Sequence, residues 1–171
     1  MENNSKNMAL TCLAAMGLGV LLHFLFQWFP NPLFALISPV RESVWEHVKL
    51  IYFPLLAASL YLTKGSGQTP WLVSLLAACA VMLGAGWVYH ITFMGDSLAF
   101  DLLLYVLLIL AGFLLPRLLW PLTARTGAQR LASLLTLALG VLIIWFTFFP
   151  PSGPLFAGLG GSLRTFRTIP V

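Results

Sequence analysis

"SLAFDLLLYVLLILAGFLL", residues 97–115, carries one charge, Asp101, in nineteen positions. A helix that crosses ~30 Å of hydrocarbon needs ~20 mostly apolar residues, and this run has that length. Similar runs stand on both sides of it: 8–29 and 39–63 precede it, the latter apolar mainly from Val44 onward, 71–93 leads into it, and 130–149 follows. The runs are Leu-rich and lack strand alternation, so their backbone groups are satisfied within helices rather than in a closed barrel. The expectation is an all-α integral membrane protein, a bundle of five transmembrane helices forming one domain over 1–171, with an extramembrane tail at 150–171.

Composition points the same way. Of 171 residues, 60% are hydrophobic and 8% charged, and the mean hydropathy is +0.94, far from soluble averages. The net charge of +4 comes from nine scattered basic residues that form no stripe, so nucleic acid is not an expected partner. The bilayer is. Cys12 and Cys79 lie in apolar runs without CxxC spacing, which argues against both a disulfide framework and a thiolate metal site. The first run is long and no small-residue cleavage site follows it, so it reads as an anchor rather than a signal peptide.

Basic residues indicate orientation. With five crossings, one side collects Lys6, Lys64, Arg117, Arg125 and Arg130, and the other Arg41, Lys49, Arg164 and Arg167. Arg41 and Lys49 are within helical reach of Glu42 and Glu46 and count as their counter-ions. The chain is therefore expected with its N-terminus in the cytoplasm and its tail outside.

The charges concentrate in "SPVRESVWEHVKLIYFP", residues 38–54. Ser38 reads as an N-cap and Pro39 as the first helical residue. From Leu50 to Thr63 there are only 14 residues, too few to cross, so Glu46, His47 and Lys49 are expected to be immersed. On one continuous helix Glu42 and Glu46 share a face, Ser43 and His47 the next, and Pro54 bends the helix a turn below. Ionisable groups at that depth point to function. His23, His90 and Asp101 fall at the same outer ends of other spans. Asp96 after Gly95 reads as a turn residue capping the fourth span, and the six tryptophans read mostly as interfacial belt or packing residues.

Glu42-Ser43-Val44-Trp45-Glu46-His47 followed by an apolar run with Pro54 resembles an uncharacterised bacterial family of small multi-span membrane proteins. The Phe-Phe-Pro-Pro stretch ending at Pro151, with Pro154-Leu155-Phe156 after it, resembles that family too. In such relatives an acidic residue often follows the tail's phenylalanine, whereas Ala157 and Gly158 follow here. The resemblance implies no established activity.

Three functions fit these residues. The first is a metal-dependent intramembrane hydrolase in which His23, His47, His90 and Asp101 are candidate ligands of zinc or another divalent cation, Glu46 is the base and Glu42 supports the ligands. Its substrate would be a lipid or lipid-linked molecule reached from the outer leaflet. The second is a proton- or cation-coupled transporter or channel using Glu46, His47 and Asp101, although no acid or histidine continues such a path through the inner half. The third is an assembly subunit whose polar cluster locks helices together.

Overall fold

The computed structural model describes residues 2–64, 67–123 and 126–158. Arg125, Arg164 and Arg167, used above for orientation, lie outside the described residues. The described chain is all-helical: α1 (Glu2–Trp28), a one-turn α2 (Pro32–Ala35), α3 (Val44–Thr63), α4 (Thr69–Gly86) continuing as a π-helical turn (Trp87–Thr92), α5 (Leu98–Thr123) and α6 (Thr126–Phe148).

Four helical segments are long and apolar enough to cross a membrane: Lys6–Trp28, Thr69–Thr92, Leu98–Trp120 and Gly127–Phe148. That is the count among the described residues, and the expected five is not confirmed. α3 falls outside this set and carries Glu46, His47 and Lys49 among its first six residues. It is instead the enclosed helix, with twelve of its twenty residues buried, and it packs against α1, α4, α5 and α6. A helix walled by other helices can carry polar side chains that hydrocarbon would not tolerate.

The core is built on α3. Val48, Ile51 and Leu55 of α3 meet Leu75 and Cys79 of α4, Ile109 and Phe113 of α5, and Ile143 of α6 in one cluster. Outward-facing leucines such as Leu102, Leu107, Leu114, Leu134 and Leu137 are more than half exposed, which suits a lipid-facing rather than a watery surface.

Pro116 and Pro54 both sit in helix interiors. The sequence reading ended the fourth span at Leu115, before Pro116, yet α5 runs on to Thr123. Proline has no N–H to give the carbonyl four residues back, Gly112 O. That carbonyl accepts the Ser74 hydroxyl at 3.1 Å instead, and a neighbouring helix thereby satisfies the group the proline leaves free. Pro54 likewise lies inside α3.

The tail returns to the bundle. Leu155 O accepts the Trp45 N–H at 3.1 Å, and the Phe156 ring packs on Trp45 and Phe146, with centroids 5.3 and 5.4 Å away. Trp45 is thus a buried packing residue, while Trp28, Trp120 and Trp145 keep the exposure expected of a belt.

Candidate functional site

The site depends on how the chain travels from α1 to α3. Asn31 caps α2, its Oδ1 accepting from Leu33 N and Phe34 N at 3.0 and 3.2 Å. The irregular stretch that follows is tied down by α3 itself. Lys49, completely buried, donates to Ala35 O (2.8 Å), Ser38 O (3.0 Å) and Glu46 Oε2 (2.8 Å), which uses all three ammonium protons. Glu46 Oε2 also accepts the Val40 N–H at 2.9 Å. A charge pair enclosed this way is satisfied by backbone as well as by its partner, the condition under which burial is tolerated.

Ser38 fixes the other side. Its Oγ donates to Leu22 O at 2.5 Å and accepts Phe26 N at 3.0 Å. Leu22 and Phe26 are an i, i+4 pair of α1, so the hydroxyl bridges one rung of that helix, and the rung begins next to His23. The loop is thereby docked on the turn that carries the histidine.

Ser38 consequently does not cap α3, and the helix does not start at Pro39 as its sequence suggested. The cap is Ser43, extended at φ −130°, with Oγ accepting Glu46 N at 3.3 Å, and α3 begins at Val44. The reason is that Ser38 is engaged elsewhere. This correction separates the two glutamates: Glu42 precedes the helix, so it shares no helical face with Glu46.

Glu42 turns to two histidines. Its Oε2 is 3.5 Å from His47 Nε2 and its Oε1 is 4.0 Å from His23 Nε2. The two imidazoles stack, with centroids 5.8 Å apart and planes 28° from parallel. One ligand atom from each of His23, Glu42 and His47 lies within 4.8 Å of the others. The outer nitrogen of His47, Nδ1, is 2.8 Å from Ser43 O, and a carbonyl can only accept, so Nδ1 carries a proton and Nε2 is the nitrogen that faces Glu42. His23 Nδ1 is buried and has no hydrogen-bond partner among the described residues.

His90 and Asp101 are not in this group; they pair with each other. His90 Nε2 is 2.7 Å from Asp101 Oδ1, and His90 Nδ1 is 2.9 Å from Gly95 O. Both ring nitrogens of His90 are therefore occupied by partners, and of the four expected ligands only His23 and His47 share a cluster. Glu42, expected to support the ligands, stands among them, whereas the carboxylate of Glu46 is held by Lys49 and Val40.

The cluster and the pair line one cavity of about 360 Å³. Gly19, Val20, His23 and Phe24 of α1 border it, with Glu42, His47, Leu50, Met82, His90 and Asp96, and Leu98, Asp101, Leu102 and Tyr105 of α5. Asp96, expected to cap the fourth span, lies two residues before the start of α5 and borders the cavity as well. On the α1 and α5 sides the rim is apolar and outward-facing: Val20, Phe24, Leu98 and Leu102 are exposed. The two helices close together below it, where Tyr105 donates to Met16 O at 2.7 Å and lies so near Gly19 that a Cβ there would be 2.2 Å from the hydroxyl.

With this geometry in hand, a profile of DUF6512, a family of unknown function, matches residues 1–161. The chain belongs to this family. No curated protein and no solved structure matches it.

Sequence reasoning missed three residues of the candidate site in this DUF6512 member. Lys49 was assigned only the role of counter-ion, and its backbone acceptors lie 11 and 14 residues earlier, beyond any helical rule. Ser38 was assigned to the wrong helix. Tyr105 was overlooked, although its position four residues after Asp101 places both on one face of α5.

Proposed function

We propose that this protein is a metal-dependent membrane hydrolase in which His23, Glu42 and His47 hold a divalent cation, zinc by the chemistry of the donors, and that its substrate is a lipid or lipid-linked molecule. The observation that carries this reading is the convergence of three ligand atoms within 4.8 Å from three separated positions of the chain. Two imidazoles and a carboxylate form one of the ligand sets that zinc uses in hydrolytic sites, with a fourth position left for water.

The spacing is close to what such a site needs. Ligand atoms bound tetrahedrally at zinc distances stand ~3.4 Å apart, so one atom from each residue, now within 4.8 Å of the others, would draw in by at most ~1.4 Å. Ser43 O orients His47 as an outer hydrogen-bond acceptor does for a ligating histidine. A bound cation would supply an acidified water and polarise the bond to be cleaved. The exposed apolar rim between α1 and α5 supports lateral entry of an amphiphile from the bilayer, its chain against Val20, Phe24, Leu98 and Leu102. With the N-terminus inside and α3 crossing as a fifth span, that rim faces the outer leaflet of the bacterial cytoplasmic membrane.

Metal analysis of the protein purified in detergent tests the reading. One zinc ion per chain is expected for the wild type and for Asp96→Asn, and less than a tenth of that for His47→Ala and for Glu42→Ala. Equal metal content in all four proteins would remove the site.

A further inference from the structure

The π-helical turn at Trp87–Thr92 carries a device that the metal cluster does not explain. π-Helical turns widen a helix by one residue and recur at functional sites. Here Phe93 N reaches back five residues to Val88 O at 3.0 Å, and Gly95 N six residues to Tyr89 O at 2.9 Å. Between them Met94 is held in the left-handed region at φ 52°, which a side-chain-bearing residue rarely adopts. Gly95 is packed so tightly that a Cβ there would lie 2.4 Å from the Tyr89 ring. The product of this strained turn is one arrangement: Gly95 O faces His90 Nδ1, and His90 Nε2 faces Asp101 Oδ1.

Those contacts fix a proton count. Gly95 O can only accept, so Nδ1 of His90 bears a hydrogen. The 2.7 Å contact between Nε2 and Oδ1 then needs one hydrogen between them, either on imidazolium or on carboxylic acid. In both forms the pair is neutral overall and stores one transferable proton. The His90 side chain is 5% exposed and the Asp101 side chain 27%, so the aspartate is the member open to the cavity.

The lining also speaks about charge. Glu42, Asp96 and Asp101 border the cavity, and among the described residues no lysine or arginine lines it. A phosphate or sulfate ester would bring negative charge to Asp96 and Asp101, with only the proposed cation, already partly balanced by Glu42, to offset it. An uncharged carboxylic ester meets no such repulsion.

Resting on the hydrolase reading above, we infer that Asp101, seated by His90, protonates the leaving oxygen of a neutral carboxylic ester of a long-chain amphiphile. The water oxygen forms a bond to the acyl carbon, the bond from that carbon to the alkoxy oxygen breaks with its electron pair on the oxygen, and the stored proton goes to that oxygen. The proton released by the water restores the His90–Asp101 pair. The products are a carboxylic acid and an alcohol, and no oxidant or further reactant is needed. His90 is a positioning residue, and Asp101 is the catalytic one because it touches the reacting oxygen.

Leaving-group dependence distinguishes this role from a structural one. Glyceryl monododecanoate has an alkoxide leaving group that needs a proton, whereas p-nitrophenyl dodecanoate does not. The zinc-loaded protein in mixed micelles is expected to cleave both, and to leave dodecyl p-nitrophenyl phosphate intact. Asp101→Asn is expected to lose at least 100-fold on the glyceryl ester and less than 10-fold on the p-nitrophenyl ester, with zinc affinity within 3-fold of wild type. His90→Gln is expected to show the same split in smaller measure. Equal losses on both esters, loss of zinc binding in Asp101→Asn, or faster cleavage of the phosphodiester would overturn the inference alone. A wild type that binds zinc and cleaves none of the three would overturn the hydrolase reading and the acid's role with it.

Discussion

Glu42 and Glu46, four residues apart, serve different neighbours: Glu46 Oε2 lies 2.8 Å from Lys49 Nζ, whereas Glu42 Oε2 lies 3.5 Å from His47 Nε2. The residue that divides them is Ser43, whose cap starts α3 after the first glutamate and before the second. Glu42→Gln is therefore expected to lower zinc affinity at least 10-fold with little change in the thermal midpoint of the metal-free protein. Glu46→Gln is expected to do the reverse. Titration of zinc into each variant, followed by melting in detergent, compares them; matching profiles would refute the division of labour.

Removal of Lys49 should be severe. Lys49→Met leaves Glu46 without its cation and two backbone carbonyls, Ala35 O and Ser38 O, without a donor. Breaking one side of a buried pair costs about 3–5 kcal/mol. The double variant Lys49→Met/Glu46→Gln removes the stranded charge and should be more stable than Lys49→Met alone. Additive losses in thermal unfolding would mean that the two groups are not coupled.

Gly95→Ala probes the strained turn. Its Cβ would meet the Tyr89 ring, so either the ring or the Gly95 carbonyl must move. An expected destabilisation of about 1–3 kcal/mol accompanies such overpacking. The diagnostic reading is a change in the ¹⁵N-histidine NMR signals of His90, with those of His47 unaltered. Unchanged His90 signals would show that Gly95 does not hold the imidazole.

Topology tests whether α3 crosses. A reporter after Val171 is expected to read as external and one before Met1 as cytoplasmic, which requires an odd number of crossings. Both reporters on the same side would mean four crossings, with α3 enclosed by the bundle without spanning it.

Helix type and approximate position were legible because apolar runs as long as 97–115 have few alternatives to a membrane helix. The continuation of α5 past Pro116 was not, since the Ser74 hydroxyl that supports it lies 38 residues before its acceptor, Gly112. In the site, residue types were legible and partnerships were not. His23, His47, His90 and Asp101 were selected as costly polar groups, yet nothing local says that His90 prefers Asp101 while His23 meets Glu42. The start of α3 was misjudged for a similar reason. Ser38-Pro39 has the form of a helix start, and only docking against Leu22 and Phe26 shows that its hydroxyl is already committed.

The bridge that Ser38 makes on α1 also has a mechanical meaning. Together with Lys49 and Glu46 it joins α1, the intervening loop and α3 by buried bonds that would all have to break before those parts could slide past one another. The wall holding His23, Glu42 and His47 thus behaves as one stiff plate. α5 joins the cavity through different bonds, the Tyr105 hydroxyl to α1 and Asp101 to His90. Sliding of α3 along α1 is the displacement that the network of Ser38, Lys49 and Glu46 opposes, because it would break all of these bonds at once.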